Sequence, residues 1–214
     1  MKKIIFIFLI ITSCSVFEEP NPSEAYYNFE NEDLDKLLIL ELNDIVKYKN
    51  QYGEEIIYEA INVSDEFRTQ RTRGNWVTSS IAKLFFYDKK DIELKNSAMN
   101  SSIDYRFTRY PVNDIEAEKN KNFKYASKFY ARVYFDFWNG ISDYREIYIN
   151  YKSQKVSLMI NGVNYKNVII IESKNDKPNY NSTIERSANV VYYDTDFGII
   201  GFDDLLNNEW RIID

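Results

Sequence analysis

Residues 155–173, which read KVSLMINGVNYKNVIIIES, decide the fold of this chain. Apolar runs rich in β-branched residues flank the pair Asn161-Gly162. An Asn-Gly pair between two apolar runs is the strongest short-range signal for a two-residue hairpin, because both residues accept the positive φ that this turn needs. The stretch therefore predicts two paired strands, over 155–160 and 165–173.

Similar signals continue upstream of this hairpin. Gly53 marks a turn at 50–53 between strands predicted over 45–49 and 54–63. The other upstream predictions are strands over 81–87 and 92–94 around a charged turn at 88–91, a strand over 129–138, and a strand over 144–151 after Asn139-Gly140. In the strand over 129–138, one face carries Val133, Phe135 and Phe137, and the other carries Arg132, Tyr134, Asp136 and Trp138.

The C-terminal part predicts three more strands, over 189–194, 197–202 and 209–213, with Asn207-Asn208 as a two-residue turn. Tyr, Phe, Ile and Val are abundant, and their ring and branched side chains favour a pleated surface. The fold class is therefore mainly β, a single antiparallel β domain of about ten strands that closes as a meander barrel, a half-barrel or a sandwich. Little helix is expected. The segment 33–42 fits a helix or a strand, and 113–124 fits a short helix or a loop.

The N-terminus carries a secretory signal. Lys2 and Lys3 precede the apolar run 4–11, and Ser13 comes directly before Cys14, the only cysteine of the chain. A transmembrane anchor would need about 20 apolar residues, and this run is too short. The pattern predicts cleavage between Ser13 and Cys14 and a lipid on the Cys14 thiol. An ordinary signal peptide with a chance cysteine is the alternative.

Two resemblances extend this interpretation. Residues 11–14, Ile-Thr-Ser-Cys, resemble the lipobox of bacterial lipoproteins. Residues 160–168 (INGVNYKNV) and 190–202 (VVYYDTDFGIIGF) resemble uncharacterised small lipoproteins of Flavobacteria-like, Bacteroidetes-type bacteria. The resemblance implies an outer membrane lipoprotein of the cell envelope, facing the periplasm or the cell surface, with covalent acyl chains on Cys14 and no other cofactor.

The acidic stretch behind Cys14 supports the same location. Glu18 and Glu19 resemble the surface-export signal of such lipoproteins, and a plain polar linker is an equal alternative. The chain is therefore predicted to divide into a signal peptide at 1–13, a lipidated cysteine with a flexible acidic tether at 14–32, and a β domain at 33–214. Strand-turn-strand endings of this kind are also similar to those of periplasmic lipid-carrier half-barrels.

Composition excludes several classes of chemistry. The chain has no histidine, and its one cysteine is assigned to the lipid, so Ser-His-Asp and Cys-His nucleophiles, histidine-ligated metals and disulfides are all excluded. Phosphate-binding glycine motifs and G-x-S-x-G do not occur. The formal net charge of −6, which becomes more negative once Lys2 and Lys3 are removed, argues against nucleic acid as a partner.

Three sets of residues are candidates for function, and each has a structural alternative. Trp76, Trp138 and Trp210 form a possible stacking platform for a ligand, although core packing is the favoured explanation and Trp138, on a polar face, is the best exception. Asp194, Asp196, Asp203 and Asp204 are a weak calcium candidate, because turns also favour aspartate. Paired carboxylates are uninformative among 33 acidic residues.

Two functional hypotheses follow. The first is a lipid-anchored, non-enzymatic binding or presentation module with a glycan, lipid or protein ligand. An apolar cavity inside the sheet would favour a carrier of lipid or another hydrophobic ligand, and a filled core with exposed aromatic residues would favour glycan or protein binding. The second is a carboxylate-dependent hydrolase of envelope or external polysaccharide, which predicts two close acids, one with a raised pKa.

Overall fold

One curled antiparallel sheet, a half-barrel, organises the protein. The computed structural model describes residues 25–71, 84–111, 127–140, 145–175 and 187–213. The prediction of a mainly β antiparallel domain is confirmed, and of the three closures considered the half-barrel is the one observed.

The described residues form twelve strands and one short helix. The strands are β1 (Ala25–Tyr27), β2 (Ile45–Lys49), β3 (Glu55–Arg71), β4 (Leu84–Asn96), β5 (Ser101–Pro111), β6 (Ser127–Phe135), β7 (Glu146–Tyr148), β8 (Val156–Ile160), β9 (Val163–Glu172), β10 (Ala188–Asp194), β11 (Gly198–Asp204) and β12 (Glu209–Ile213). The helix α1 is Asn31–Leu34. β1 and α1 therefore place residues N-terminal to the expected boundary at 33 within the fold.

The strands follow the order β7-β6-β5-β4-β3-β2-β12-β11-β10-β9-β8, and β1 lies parallel to β4 off this path. The curl brings residues 137–139, which follow β6 near one end of the path, against β10 near the other end. Beyond β6, the backbone N–H of Ala188 donates to the carbonyl of Phe137 at 2.6 Å, and the N–H of Asn139 donates to the carbonyl of Ala188 at 2.8 Å. These bonds join β10 to the chain that follows β6.

Turn chemistry accounts for the hairpin predicted from residues 155–173. Asn161 and Gly162 have φ angles of 49° and 85°, so both central residues are left-handed, as a two-residue hairpin requires. β8 and β9 pair antiparallel on either side of them. The hairpin prediction is confirmed, and the strands predicted over 45–49 and 209–213 have the observed bounds.

The inner face of the half-barrel is filled with apolar and aromatic side chains. Trp210, Tyr48, Tyr58, Phe135 and Phe202 are all fully buried in one cluster. Residues 28–44, called here the covering segment, contribute the buried Leu38 and the partly buried residues Phe29, Leu37 and Leu40 to the same cluster. The inner face is therefore a packed core, and the covering segment packs against it.

Several predicted elements are corrected. β4 runs without a turn through 88–91, because Lys90 pairs with Asp65 of β3 at 3.5 Å and the other charges also face neighbouring strands. β3 extends to Arg71, and β5 had not been predicted. The strand predicted over 129–138 is shifted to Ser127–Phe135, and the one over 144–151 shortens to Glu146–Tyr148.

The remaining corrections concern connections. The turn at Asn207-Asn208 is the end of a four-residue connection, 205–208, because β11 continues to Asp204. The segment 33–42 is neither one helix nor one strand, since α1 ends at Leu34 and the following residues cover the core irregularly. The prediction for 113–124 lies outside the described residues.

Candidate ligand-binding groove

An open groove of about 680 Å³ lies on the outer face of strands β3 to β6. Side chains of β5 alternate between the two faces of the sheet. Ile103, Tyr105 and Phe107 point into the core. Arg106 and Thr108 point to the outer face and are half-buried. The groove is lined by Arg68 of β3, Tyr87 and Lys89 of β4, Arg106, Thr108, Tyr110 and Pro111 of β5, and Tyr130 and Arg132 of β6. Within the described part of the chain, this lining has four cations and no carboxylate.

Strand register places two of these cations face to face. Arg106 on β5 is the direct cross-strand partner of Arg132 on β6. Directly opposed side chains have Cβ atoms about 5 Å apart, and like charges in this position destabilise a sheet. The next row of the same face holds Tyr130, Thr108 and Lys89. These two rows of the groove lining therefore bring the cations Arg106, Arg132 and Lys89 close together in a chain of net charge −6.

Carboxylates on the flanks hold the cations in place. Asp91 accepts from Arg106 Nε at 3.1 Å and also pairs with Lys89. Glu146 of β7 pairs with Arg132 at 3.3 Å, and the pair Glu66–Arg68 is 2.5 Å long on β3. Three carboxylates, Glu66, Asp91 and Glu146, thus pair with the four lining cations and neutralise them in part.

Tyrosine rings support the guanidinium groups. Arg106 lies 5.2 Å from the ring centre of Tyr134, and Arg132 lies 5.2 Å from that of Tyr148 and 5.8 Å from that of Tyr130. Cation–π contacts of this kind orient a guanidinium without consuming its N–H donors. Arg106 and Arg132 are therefore held in position by these rings and still have N–H donors for a ligand.

The protonation state of Arg132 is also secured. Partial burial lowers its pKa, but the Glu146 carboxylate and the neighbouring Tyr134 and Tyr148 outweigh burial, so the pKa of Arg132 is raised above its ordinary value. A hydrogen bond to Glu146 raises the pKa of Tyr148 as well. At neutral pH the groove is therefore a fixed array of cationic and hydroxyl donors, which suits a ligand rich in oxygen acceptors.

The tryptophans predicted as stacking residues are not at the surface. Trp210 is fully buried, stacked on Phe202 with ring centres 5.8 Å apart, and its indole N–H donates to Asp204 at 3.3 Å. Trp138 is 7 % exposed and belongs to the same core cluster. Both therefore pack in the core, which was the favoured explanation, and the exception considered for Trp138 does not apply because the chain turns inward after β6 and takes this residue away from the polar face. Trp76 lies outside the described residues.

The aspartates proposed as a weak calcium site are held by protein donors. Asp194 accepts from the backbone of Asp196 at 2.9 Å, and Asp203 binds Arg211 at 2.6 Å. Asp204 accepts from the backbone N–H groups of Leu206 and Asn208 at 2.9 and 3.0 Å. In the described parts of the chain, no group of three or more histidine, cysteine or acidic side chains could hold a metal ion.

A pair of carboxyl groups lies on the outer face outside the groove lining. Glu93 of β4 and Asp104 of β5 are direct cross-strand partners. Burial, followed by the charge of Glu93, raises the pKa of Asp104 to about 6. Asp104 Oδ1 is buried and has no hydrogen-bond partner among the described residues. A carboxyl group with such a pKa can exchange a proton near neutral pH.

No protein-family model, curated protein or solved structure significantly matches this chain. No helix among the described residues is long and apolar enough to span a membrane. Ser13, Cys14, Glu18 and Glu19 lie outside the described residues.

Sequence reasoning missed most of the groove. Of its lining residues, Tyr87, Tyr130 and Arg132 lie in strands predicted over 81–87 and 129–138, and only Arg132 was assigned to a polar face. The signal for the others is the alternation in 101–111, SSIDYRFTRYP, whose polar positions carry Arg106, Thr108 and Tyr110. Their assembly with Arg68 and Lys89 depends on the pairing of four strands, which short-range patterns do not specify.

Proposed function

We propose that the protein is a non-enzymatic binding module of the cell envelope, anchored by lipid on Cys14, and that the groove on β3–β6 binds an anionic, oxygen-rich ligand. The observation that carries the proposal is the lining of the groove: four cations with no carboxylate among them, in an acidic chain. The filled inner face supports a ligand site on the outer face over a lipid carried inside the sheet.

The anchor is tested by labelling. Cells that express the full-length protein are fed radioactive palmitate, and the membrane fraction is separated. We expect label and membrane association in the wild type and loss of both in Cys14→Ser, because the thiol carries the acyl chains. Label that persists in Cys14→Ser would refute the anchor without affecting the groove.

The groove is tested with citrate as the probe, because its three carboxylates can engage several cations at once. We expect citrate to shift the guanidinium NMR signals of Arg106 and Arg132 in isotope-labelled full-length protein in detergent micelles. The signals are assigned with Arg106→Gln and Arg132→Gln. Lys152→Gln/Lys155→Gln removes two exposed cations outside the groove and is expected to leave the titration unchanged. Unshifted guanidinium signals would contradict binding at the groove.

A carboxylate-dependent polysaccharide hydrolase is the second candidate, and the raised pKa of Asp104 opposite Glu93 favours it. Such an enzyme would release reducing ends from a polysaccharide, and Asp104→Asn would abolish the release. Equal rates in the wild type and in Asp104→Asn would eliminate this candidate.

A further inference from the structure

We infer that the ligand of the groove is an acidic polysaccharide of low charge density, a chain of sugars with carboxylate groups such as a polyuronate. This inference rests on the proposed function and specifies its ligand. It starts from the opposed pair Arg106 and Arg132 on the adjacent strands β5 and β6, whose ion-pair partners Asp91 and Glu146 lie on the next strands outward, β4 and β7. A carboxylate between the two guanidinium groups would relieve their repulsion and accept from both.

The extent of the groove indicates an oligomer and not a single ion. Its lining comes from four neighbouring strands, from Arg68 on β3 to Arg132 on β6. Four adjacent strands span about 14 Å, given a spacing of about 4.8 Å. A single carboxylate would occupy one end of such a groove. An oligosaccharide could bridge the arginine pair at one end and Arg68 at the other.

The balance of charge limits how anionic this oligomer can be. Glu66, Asp91 and Glu146 form ion pairs with the lining cations and partly neutralise them. A site for nucleic acid or for an anionic membrane surface needs several cations that the protein's own carboxylates do not neutralise. A carboxylated sugar chain fits because its charges are spaced by neutral, hydroxyl-rich atoms that match Thr108 and the tyrosine hydroxyls.

The position of the groove disfavours a peptide. β5, the central strand of the lining, pairs with β4 over Ser101–Thr108 and with β6 over Ile103–Pro111, so its backbone around Arg106 offers no free edge for an added strand. The lining contains no Leu, Ile, Val, Met, Phe or Trp, so the groove offers no aliphatic pocket for peptide side chains. Hydroxyl and cationic donors dominate, and these are complementary to sugars.

The test is isothermal titration calorimetry of the full-length protein in detergent micelles. The probes are tetragalacturonate, galacturonate and a neutral tetragalactose of the same length. We expect the acidic tetramer to bind about tenfold or more tightly than the monomer, and the neutral tetramer to bind far more weakly. Arg106→Gln/Arg132→Gln should weaken tetramer binding by about tenfold or more, and Lys152→Gln/Lys155→Gln should not change it.

The conservative variant Arg106→Lys/Arg132→Lys keeps both charges and loses bidentate geometry, so we expect an intermediate loss. Equal affinity for monomer and tetramer would overturn the polysaccharide inference and leave the proposed anion-binding function standing. Equal binding of polyglutamate, or of vesicles made of equal parts phosphatidylcholine and phosphatidylglycerol, would also overturn it. If neither the acidic sugars nor citrate bind, the inference and the proposed function fail together.

Discussion

The guanidinium of Arg109 on β5 donates to the buried carboxylate of Asp33 in α1, a contact between residues 76 positions apart in the chain. Arg109 Nε also donates to Ser127 Oγ at 2.9 Å, and its remaining donor group reaches Glu30. Asp33 has no solvent exposure, and Arg109 is almost fully buried. The contact therefore fixes the covering segment to the inner face of the half-barrel.

Removal of Arg109 should destabilise the fold strongly. In Arg109→Met the Asp33 carboxylate loses its main counter-charge while buried, and breaking such a pair costs about 3–5 kcal/mol. The free energy of unfolding is measured by urea denaturation. Lys49→Met is the control, because its pair with Glu55, at 3.1 Å, is solvent-exposed and contributes about 1 kcal/mol or less. Similar losses in the two variants would show that the Arg109 contact does not hold the covering segment.

The covering segment also offers a comparison of neighbouring residues. Leu38 is 1 % exposed and packs in the core, whereas Ile39 is 91 % exposed. We expect Leu38→Ala to lower the free energy of unfolding by about 2–5 kcal/mol, because it removes buried methyl groups and leaves a cavity. Ile39→Ala should change it by no more than about 0.5 kcal/mol. Urea denaturation of both variants measures the difference, and equal effects would contradict the described packing of this segment.

Short-range patterns were sufficient for the elements whose determinants are local. The β8–β9 hairpin needs only two residues that accept positive φ between apolar runs, and Asn161-Gly162 supplies them. β12 lies where the apolar pattern around Trp210 predicts it. The mainly β fold class follows from many such local signals.

Non-local pairing explains what the sequence did not reveal. Charges at 88–91 are typical of a turn, yet the chain stays extended there because cross-strand partners such as Asp65, which faces Lys90, satisfy them. Trp138 alternates onto a polar face, but its backbone leaves β6 and forms a bridge with Ala188. The groove joins residues from Arg68 to Arg132 through the register of four strands, which no local motif encodes.

Gly198, at the start of β11, should not tolerate a side chain. Its φ is +79°, and an added Cβ would lie 2.9 Å from Tyr105 Oη and 3.0 Å from Leu38 Cδ1. The Tyr105 hydroxyl accepts from the backbone N–H of Ile199 at 3.1 Å, so it cannot move freely. Gly198→Ala thus combines left-handed backbone strain with overpacking.

Gly162 is the matched control, because its φ is +85° and an added Cβ would meet no atom within 4 Å. We expect Gly162→Ala to cost about 1–2 kcal/mol from backbone strain alone. Gly198→Ala should cost about 1–3 kcal/mol more because of the steric conflict. Calorimetric melting of both variants gives the comparison. Equal melting temperatures would mean that the side chains of Tyr105 and Leu38 move away from the added Cβ with no loss of stability.

Asp104 gives the fold a pH dependence of known sign. Burial is the largest cause of its raised pKa, and Glu93 and Asp136 add to it, whereas Ser102 and Arg106 oppose it. The pKa rises from 3.8 to about 6 on folding. Between about pH 4 and pH 6 the folded chain keeps a proton that the unfolded chain has lost, so stability falls as pH rises through this window. Above it, the ionised and partly buried carboxylate continues to destabilise the fold.

Asp104→Asn should therefore be more stable than the wild type at pH 7, by on the order of 1 kcal/mol after allowance for partial solvent screening. The advantage should shrink as pH falls from about 6 to about 4, where Asp104 of the wild type is protonated and neutral when folded. Urea denaturation at a series of pH values measures both curves. Asp65→Asn, at a carboxylate whose side chain is 70 % exposed, is the control and should run parallel to the wild type through this window. If Asp104→Asn also ran parallel, the carboxyl group of Asp104 would have to ionise equally readily in the folded and unfolded chains, and its pairing with Glu93 would carry no electrostatic cost.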